Sequence, residues 1–155
     1  MANTYTQLYV QFVFSPMRRT ALITTDYETE LYKFITGTLQ NKNHKMISIN
    51  GTEDHVHMLV GLNPDQSISS LMQDIKRSSS RWINENKLSF GKFEWQVGYG
   101  AFTYSRSQLK SVINYIENQK EHHKKTSFLD EFRLFLKKYE VEYDERYIFK
   151  EPLDD

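Results

Sequence analysis

The stretch Asp54-His-Val-His-Met-Leu-Val-Gly61 decides how this chain has to fold. Two histidines stand at i and i+2 in a run of strand formers, so both imidazoles leave the same side of one β-strand. The intervening Val56 points the other way, with Met58, Val60 and Leu62. One face of the strand is therefore aliphatic, and the other carries His55 and His57. Two neutral imidazoles held in this way suit a divalent metal ion, which polarises a phosphate or carbonyl oxygen. A bare His-x-His also occurs as two polar residues on a solvated strand face. What lies around it in the chain has to decide.

Working outward, Leu8, Val10, Phe12 and Phe14 alternate with Gln7, Tyr9, Gln11 and Val13, which predicts a strand with one apolar face ended by Ser15-Pro16. Thr25-x-x-Glu28 is a capping-box candidate opening a helix with the apolar stripe Tyr27, Leu31, Phe34, Ile35 and Leu39. A short strand with Ile47 and Ile49, a turn around Asn50-Gly51 and the histidine strand follow. Past Asn63-Pro64-Asp65, the residues Ile68, Leu71, Met72, Ile75, Ser79, Trp82 and Ile83 keep helical spacing. Trp95 to Tyr104 reads as a fourth strand, weakened by Gly98 and Gly100. The order β-α-β-β-α-β predicts an α+β, ferredoxin-like antiparallel sheet with both helices on one face. The aliphatic sides of the strands meet those helices, so the histidines lie on the open face.

Composition sets the outer limits. A chain of 155 residues has room for one domain with a proper core, here expected over residues 1–139. The absence of cysteine excludes disulfides, zinc–thiolate sites and cysteine nucleophiles. No apolar run approaches the roughly 20 residues needed to span a bilayer, and the start of the chain lacks a signal-peptide pattern, so a cytoplasmic protein is expected. The formal charge is zero. It conceals an asymmetry, because residues 140–155 hold seven acids against Arg146 and Lys150, a net of −5 that leaves +5 for residues 1–139. A mildly basic body with an acidic C-terminal tail is compatible with a polyanionic partner.

The second half of the candidate site lies in Ser107 to Lys124, which reads as a third helix. At about 100° per residue, Gln119 falls about 40° to one side of Tyr115 and His122 about 20° to the other. Leu109, Val112, Ile113 and Ile116 form an apolar stripe beside this polar one. On angle alone, Tyr115 is equally the polar edge of a packed helix, and the chain has ten tyrosines.

His55-Val-His57 together with Tyr115-Ile-x-Asn-Gln-x-x-His-His123 resembles the small tyrosine transposases of bacterial insertion sequences, members of the HUH endonuclease superfamily. The resemblance extends over roughly residues 5–135, through Leu8-Tyr-Val-Gln-Phe-Val-Phe14, Lys76-Arg-Ser-Ser-Ser80, Trp95-Gln-Val-Gly-Tyr-Gly-Ala-Phe102 and Ser127-Phe-Leu-Asp-Glu-Phe132. It implies that Tyr115 attacks a phosphodiester in single-stranded DNA, leaving a 5′-phosphotyrosine and a free 3′-OH. Tyr104 is the next candidate nucleophile. The resemblance also implies His55, His57 and Gln119 as metal ligands, with His122 competing by angle for the third place. Two nitrogens and an amide oxygen, with positions left for water or phosphate, fit Mg²⁺ or Mn²⁺. Glu53 and Asp54 are either surface-turn acids or groups that orient an imidazole through its second nitrogen.

The implied partner is a hairpin-bearing single strand. Lys76, Arg77, Arg81 and Lys120 are candidate phosphate contacts, with Arg18, Arg19, Lys124 and Lys125 as further ones. Tyr99, Phe102 and Tyr104 are either base-stacking platforms or core. Relatives work as symmetric homodimers with sites composed in trans, and the short link from the fourth strand to the Tyr115 helix suggests an exchanged helix here. Rival readings are a domesticated transposase acting on repetitive hairpins, a replication or relaxase-type nickase, and a non-catalytic ferredoxin-like nucleic-acid-binding module.

Overall fold

Alternation of large apolar and polar residues places two layers on two sides of one sheet, and the computed structural model has this arrangement over the residues it describes, 4–17 and 22–149. Strands β1 (Tyr9–Phe14), β2 (Lys45–Thr52), β3 (His55–Gly61) and β4 (Gly100–Tyr104) form a four-stranded sheet in the order β2-β3-β1-β4. Every neighbouring pair is antiparallel. Helices α1 (Glu28–Asn41) and α2 (Ile68–Glu85) separate β1 from β2 and β3 from β4, which is the expected split β-α-β-β-α-β topology.

Val10, Phe12 and Phe14 of β1 with Val56, Met58 and Val60 of β3 turn to one side and are buried under Leu31, Ile35 and Leu39 of α1 and Leu71, Met72, Ile75 and Ile83 of α2. The two helices meet through stacked rings of Phe34 and Trp82, 4.9 Å between centroids. Ser67 caps α2 by accepting from the Ser70 amide.

Three local expectations are corrected. Tyr27, not Thr25, is the N-cap residue of α1 and makes no side-chain cap, so the capping box does not form. β2 runs through Asn50-Gly51 to Thr52, and the reversal falls at Glu53-Asp54. Gly51 pairs with Val56 where an added Cβ would lie 2.1 Å from the His55 carbonyl oxygen, so its glycine serves close approach rather than a turn. The fourth strand is shorter than Trp95–Tyr104: Trp95 makes one isolated bridge to Pro16, and regular pairing starts at Gly100.

The open face is roofed by the rest of the chain. A 3₁₀ turn over Arg106–Gln108 leads into α3 (Leu109–Glu117), then α4 (Gln119–His122) and α5 (Phe128–Lys138). The expected single helix over 107–124 breaks at Asn118. Val112 and Ile116 of α3 bury Leu59, with Tyr9 and Ile47 packed around them. Phe128, Phe132 and Leu136 of α5 cover Val13 and Phe102. Phe149 is buried between Phe128 and Phe132, so part of the acidic C-terminal segment returns to the domain. Among the described residues no helix is long and apolar enough to cross a membrane.

Candidate active site

β3 puts His55 and His57 on the roofed face, where both are fully buried. Their rings stand edge to face at 5.1 Å. Each has its Nδ1 engaged by a sheet-side partner, which fixes the ring and turns Nε2 toward the roof. His55 Nδ1 lies 2.7 Å from Asp54 Oδ1 and 3.0 Å from Thr52 Oγ1. Asp54 therefore orients an imidazole, while the Glu53 carbonyl accepts from the Ile23 amide. Burial works against ionised Asp54, but the hydrogen bonds from His55 and Thr52 hold its carboxyl below the usual range. The Gln11 side-chain amide of β1 lies 2.8 Å from His57 Nδ1, and Gln11 accepts from the Tyr104 hydroxyl at 2.7 Å.

From the roof, α4 brings Gln119, fully buried, with its Oε1 2.8 Å from His55 Nε2. A neutral His55 that gives its Nδ1 proton to Asp54 would turn an Nε2 lone pair toward this oxygen, two acceptors that a shared cation would join. His122, the competitor for this place, is more exposed and lies 3.3 Å from a Glu131 oxygen instead. α3 delivers Tyr115, half-buried, with its ring 5.7 Å from that of His57 and its hydroxyl donating to Glu131 Oε2. Tyr104 is unsuited as a nucleophile: its hydroxyl is tied between Gln11 and Tyr139, and burial together with Tyr139 pushes its pKa upward.

Two residues were not foreseen as parts of the site. Glu131, on α5, is 2% exposed and lies 2.9 Å from His57 Nε2. His123 Nε2 is buried, 3.1 Å from Glu131 Oε1, and makes no hydrogen bond. His55, His57, His123 and Glu131 offer ligand atoms within 4.8 Å of one another, a group that could hold a metal ion. Burial, with His55 and His122 as neighbours, keeps His57 well below its ordinary pKa and pushes His123 down to about 3. Both are thus neutral at pH 7. Burial pushes Glu131 up to about 8 against the pull of His55. A signal for Glu131 exists in the sequence: it is an acid inside the apolar stripe Phe128, Phe132, Phe135 and Leu136.

The cluster separates two clefts. One, of about 530 Å³, opens on Tyr115, His122, Glu131 and Tyr104. The other, of about 490 Å³, opens on Thr52, Asp54, Lys120, His123 and Lys124. The foreseen phosphate contacts sit less favourably. Lys76 is turned inward, donating to the carbonyls of Gln96 and Gly98, and burial lowers its pKa to about 8. Lys120 is held by Asn50, the Gly51 carbonyl and Glu28. Arg77 and Arg81 are exposed but paired along α2 with Asp74 and Glu85. Arg18 and Arg19 lie outside the described residues. Phe102 is core, Tyr104 belongs to the Gln11 network, and Tyr99 packs against Phe12. As for the expected exchange of the tyrosine helix between chains, α3 reaches its own sheet through the Arg106–Gln108 turn, so the short link does not require a partner.

Comparison with known proteins agrees with this geometry. Residues 4–119 match the model of the family described as Transposase IS200 like. The transposases for insertion sequence element IS200 of Salmonella typhimurium LT2 and of Salmonella typhi are each 26% identical over 129 residues, covering 80% of this chain and 84% of theirs. Among solved structures, a candidate transposase from Deinococcus radiodurans R1 superimposes with a TM-score of 0.59 at 19% identity, covering 76% of this chain and 94% of that one. A REP-associated tyrosine transposase bound to a REP hairpin gives a TM-score of 0.59 at 18% identity, covering 78% and 72%. With the family model matched from before β1 through Gln119, the chain belongs to the IS200-like transposases, a family of DNA strand cleavage and transfer enzymes.

Proposed function

We propose that this transposase cleaves and rejoins hairpin-bearing single-stranded DNA through a 5′-phosphotyrosine on Tyr115. The observation that carries this is the Tyr115 hydroxyl, half-buried at the mouth of a cleft and seated against the same carboxylate that meets the His57 imidazole. In the cleavage step the Tyr115 oxygen forms a bond to phosphorus and the P–O3′ bond breaks. The departing 3′ oxygen ends as a free hydroxyl, and the tyrosine proton leaves to the surrounding carboxylate and water. Attack on the phosphotyrosine by another 3′-OH reverses the step and joins two strands without an external energy source. His55, His57 and Gln119 would hold Mg²⁺ or Mn²⁺, and the bound ion would neutralise charge developing on the phosphoryl oxygens. Asp54 and Gln11 keep both imidazoles turned toward that position. The likeness to a transposase seen with a REP hairpin supports hairpin DNA as the substrate.

The test is covalent trapping of a labelled hairpin single strand with Mg²⁺ or Mn²⁺, read as an SDS-stable adduct. Wild type should form it. Tyr115→Phe, which removes only the hydroxyl, should lose at least about a thousandfold in cleavage while binding the hairpin within a few-fold of wild type. Cleavage by Tyr115→Phe at the wild-type rate would move the nucleophile elsewhere. The same assay addresses assembly as a homodimer with sites composed in trans. Tyr115→Phe and His57→Ala proteins, mixed after subunit exchange, regain partial cleavage if one chain's tyrosine serves another's histidines. Tyr115 lies beside the histidines of its own chain here, so recovery would show the tyrosine helix exchanged between the chains of a dimer, and no recovery would show sites built in cis.

A further inference from the structure

Glu131 presents its two carboxylate oxygens to two different sets of partners. Oε1 lies 2.9 Å from His57 Nε2, 3.1 Å from His123 Nε2 and 3.7 Å from His55 Nε2. Oε2 accepts the Tyr115 hydroxyl and lies 3.3 Å from both Gln119 Nε2 and His122 Nε2. One oxygen thus looks into the imidazole cluster and the other holds the tyrosine. A carboxylate at 2% exposure, paired among the described residues with histidines rather than Lys or Arg, is expensive to bury without a cation. If packing and hydrogen bonds were its only role, an amide or an apolar residue in this stripe of α5 would serve at lower cost. The His123 nitrogen, buried and without a hydrogen bond, points to the same missing charge.

We infer that Glu131 is itself a ligand of the divalent ion through Oε1, joined by His123, and is the residue that seats Tyr115 through Oε2. Metal loading and alignment of the nucleophile are then one event, because a single carboxylate serves both. A charged oxygen beside three imidazoles makes the site more favourable to Mn²⁺ than imidazoles alone would. This rests on the metal reading proposed above and extends it beyond His55, His57 and Gln119.

The experiment is Mn²⁺ binding to the full chain without DNA, followed by the electron paramagnetic resonance signal of the free ion, with thermal unfolding as a check on folding. Glu131→Gln keeps shape and hydrogen-bonding capacity but removes the charge, and should weaken Mn²⁺ binding at least about tenfold. His123→Gln should weaken it in the same direction, while Tyr115→Phe should stay within about threefold of wild type, since the phenol is held by the carboxylate and not by the ion. Mn²⁺ binding by Glu131→Gln within about twofold of wild type would overturn the ligand role. If wild type binds no better than His57→Ala, the metal reading falls and this inference with it. Glu131→Asp retains the charge on a shorter arm. It should bind Mn²⁺, yet cleave more slowly in single turnover at saturating Mn²⁺ with hairpin affinity unchanged. A wild-type rate for Glu131→Asp would overturn the seating role.

Discussion

The two faces of the sheet are made from alternate residues of the same strands, yet they rest on opposite physics. Toward α1 and α2 the contributions of β1 and β3 are Val10, Phe12, Phe14, Val56, Met58 and Val60, all buried among aliphatic and aromatic side chains. Toward α3, α4 and α5 the same two strands contribute Val13 and Leu59 together with Gln11, His55 and His57, the last three just as deeply buried but polar. The first face gains free energy from every atom it removes from water. The polar part of the second gains little, because each polar group gives up hydration and recovers it only through a chain of hydrogen bonds such as Tyr139–Tyr104–Gln11–His57. One face holds the fold together so that the other can carry a costly cluster.

The largest effect should come from damaging the dry face. Phe12→Ala removes a fully buried ring and should cost about 3–5 kcal/mol of stability. Denaturant unfolding checks this; a loss below about 1 kcal/mol would mean that the helix face is not the main source of stability.

A smaller effect, of opposite sign, is expected from Glu131→Gln on the polar face. The folded carboxyl titrates near about 8 and the unfolded one near 4.5, so the folded state keeps its proton where the unfolded chain has lost it. Stability of the metal-free wild type is therefore intact below about pH 4.5 and declines as pH rises toward about 8. The amide cannot ionise, so Glu131→Gln should gain on wild type through that window, by on the order of 3 kcal/mol at pH 7. Thermal unfolding in EDTA at pH 5 and pH 8 measures it. Equal differences at both pH values would show that Glu131 is not the strained group.

The smallest effect belongs to neither face. Arg81, exposed and paired with Glu85 one turn along α2, should change stability by less than about 0.5 kcal/mol when replaced by alanine. A larger loss would mean that the outer side of α2 contributes to the balance between the two faces.

Much of this division was legible in the sequence, because period-2 alternation in 8–14 and 55–62 assigns each residue to a face. The helix stripe Leu109, Val112, Ile113 and Ile116 likewise predicted what α3 packs with. Less legible were features set by tertiary contact. The break at Asn118 leaves no Gly or Pro signature, and it rotates Gln119 relative to the helix that carries Tyr115. Which of His122 and His123 turns inward depends on that break: His123 lies over His55 at 4.2 Å. Lys76 reads as a free surface cation until its two carbonyl partners, about twenty residues on, are brought to it by the Trp95–Gly98 segment.

One detail of β2 sets a measure for the whole site. Asn50 is the cross-strand partner of His57, and its side-chain amide donates to the carbonyls of Ile116 and Glu117, at 3.1 Å each, where α3 ends. The tyrosine helix is thus clasped by the residue next to a site histidine, one strand spacing of about 4.8 Å away. Strand pairing works as a ruler for the chemistry: a one-residue slip of β2 would carry the clasp to the opposite face and leave Tyr115 without its reference point.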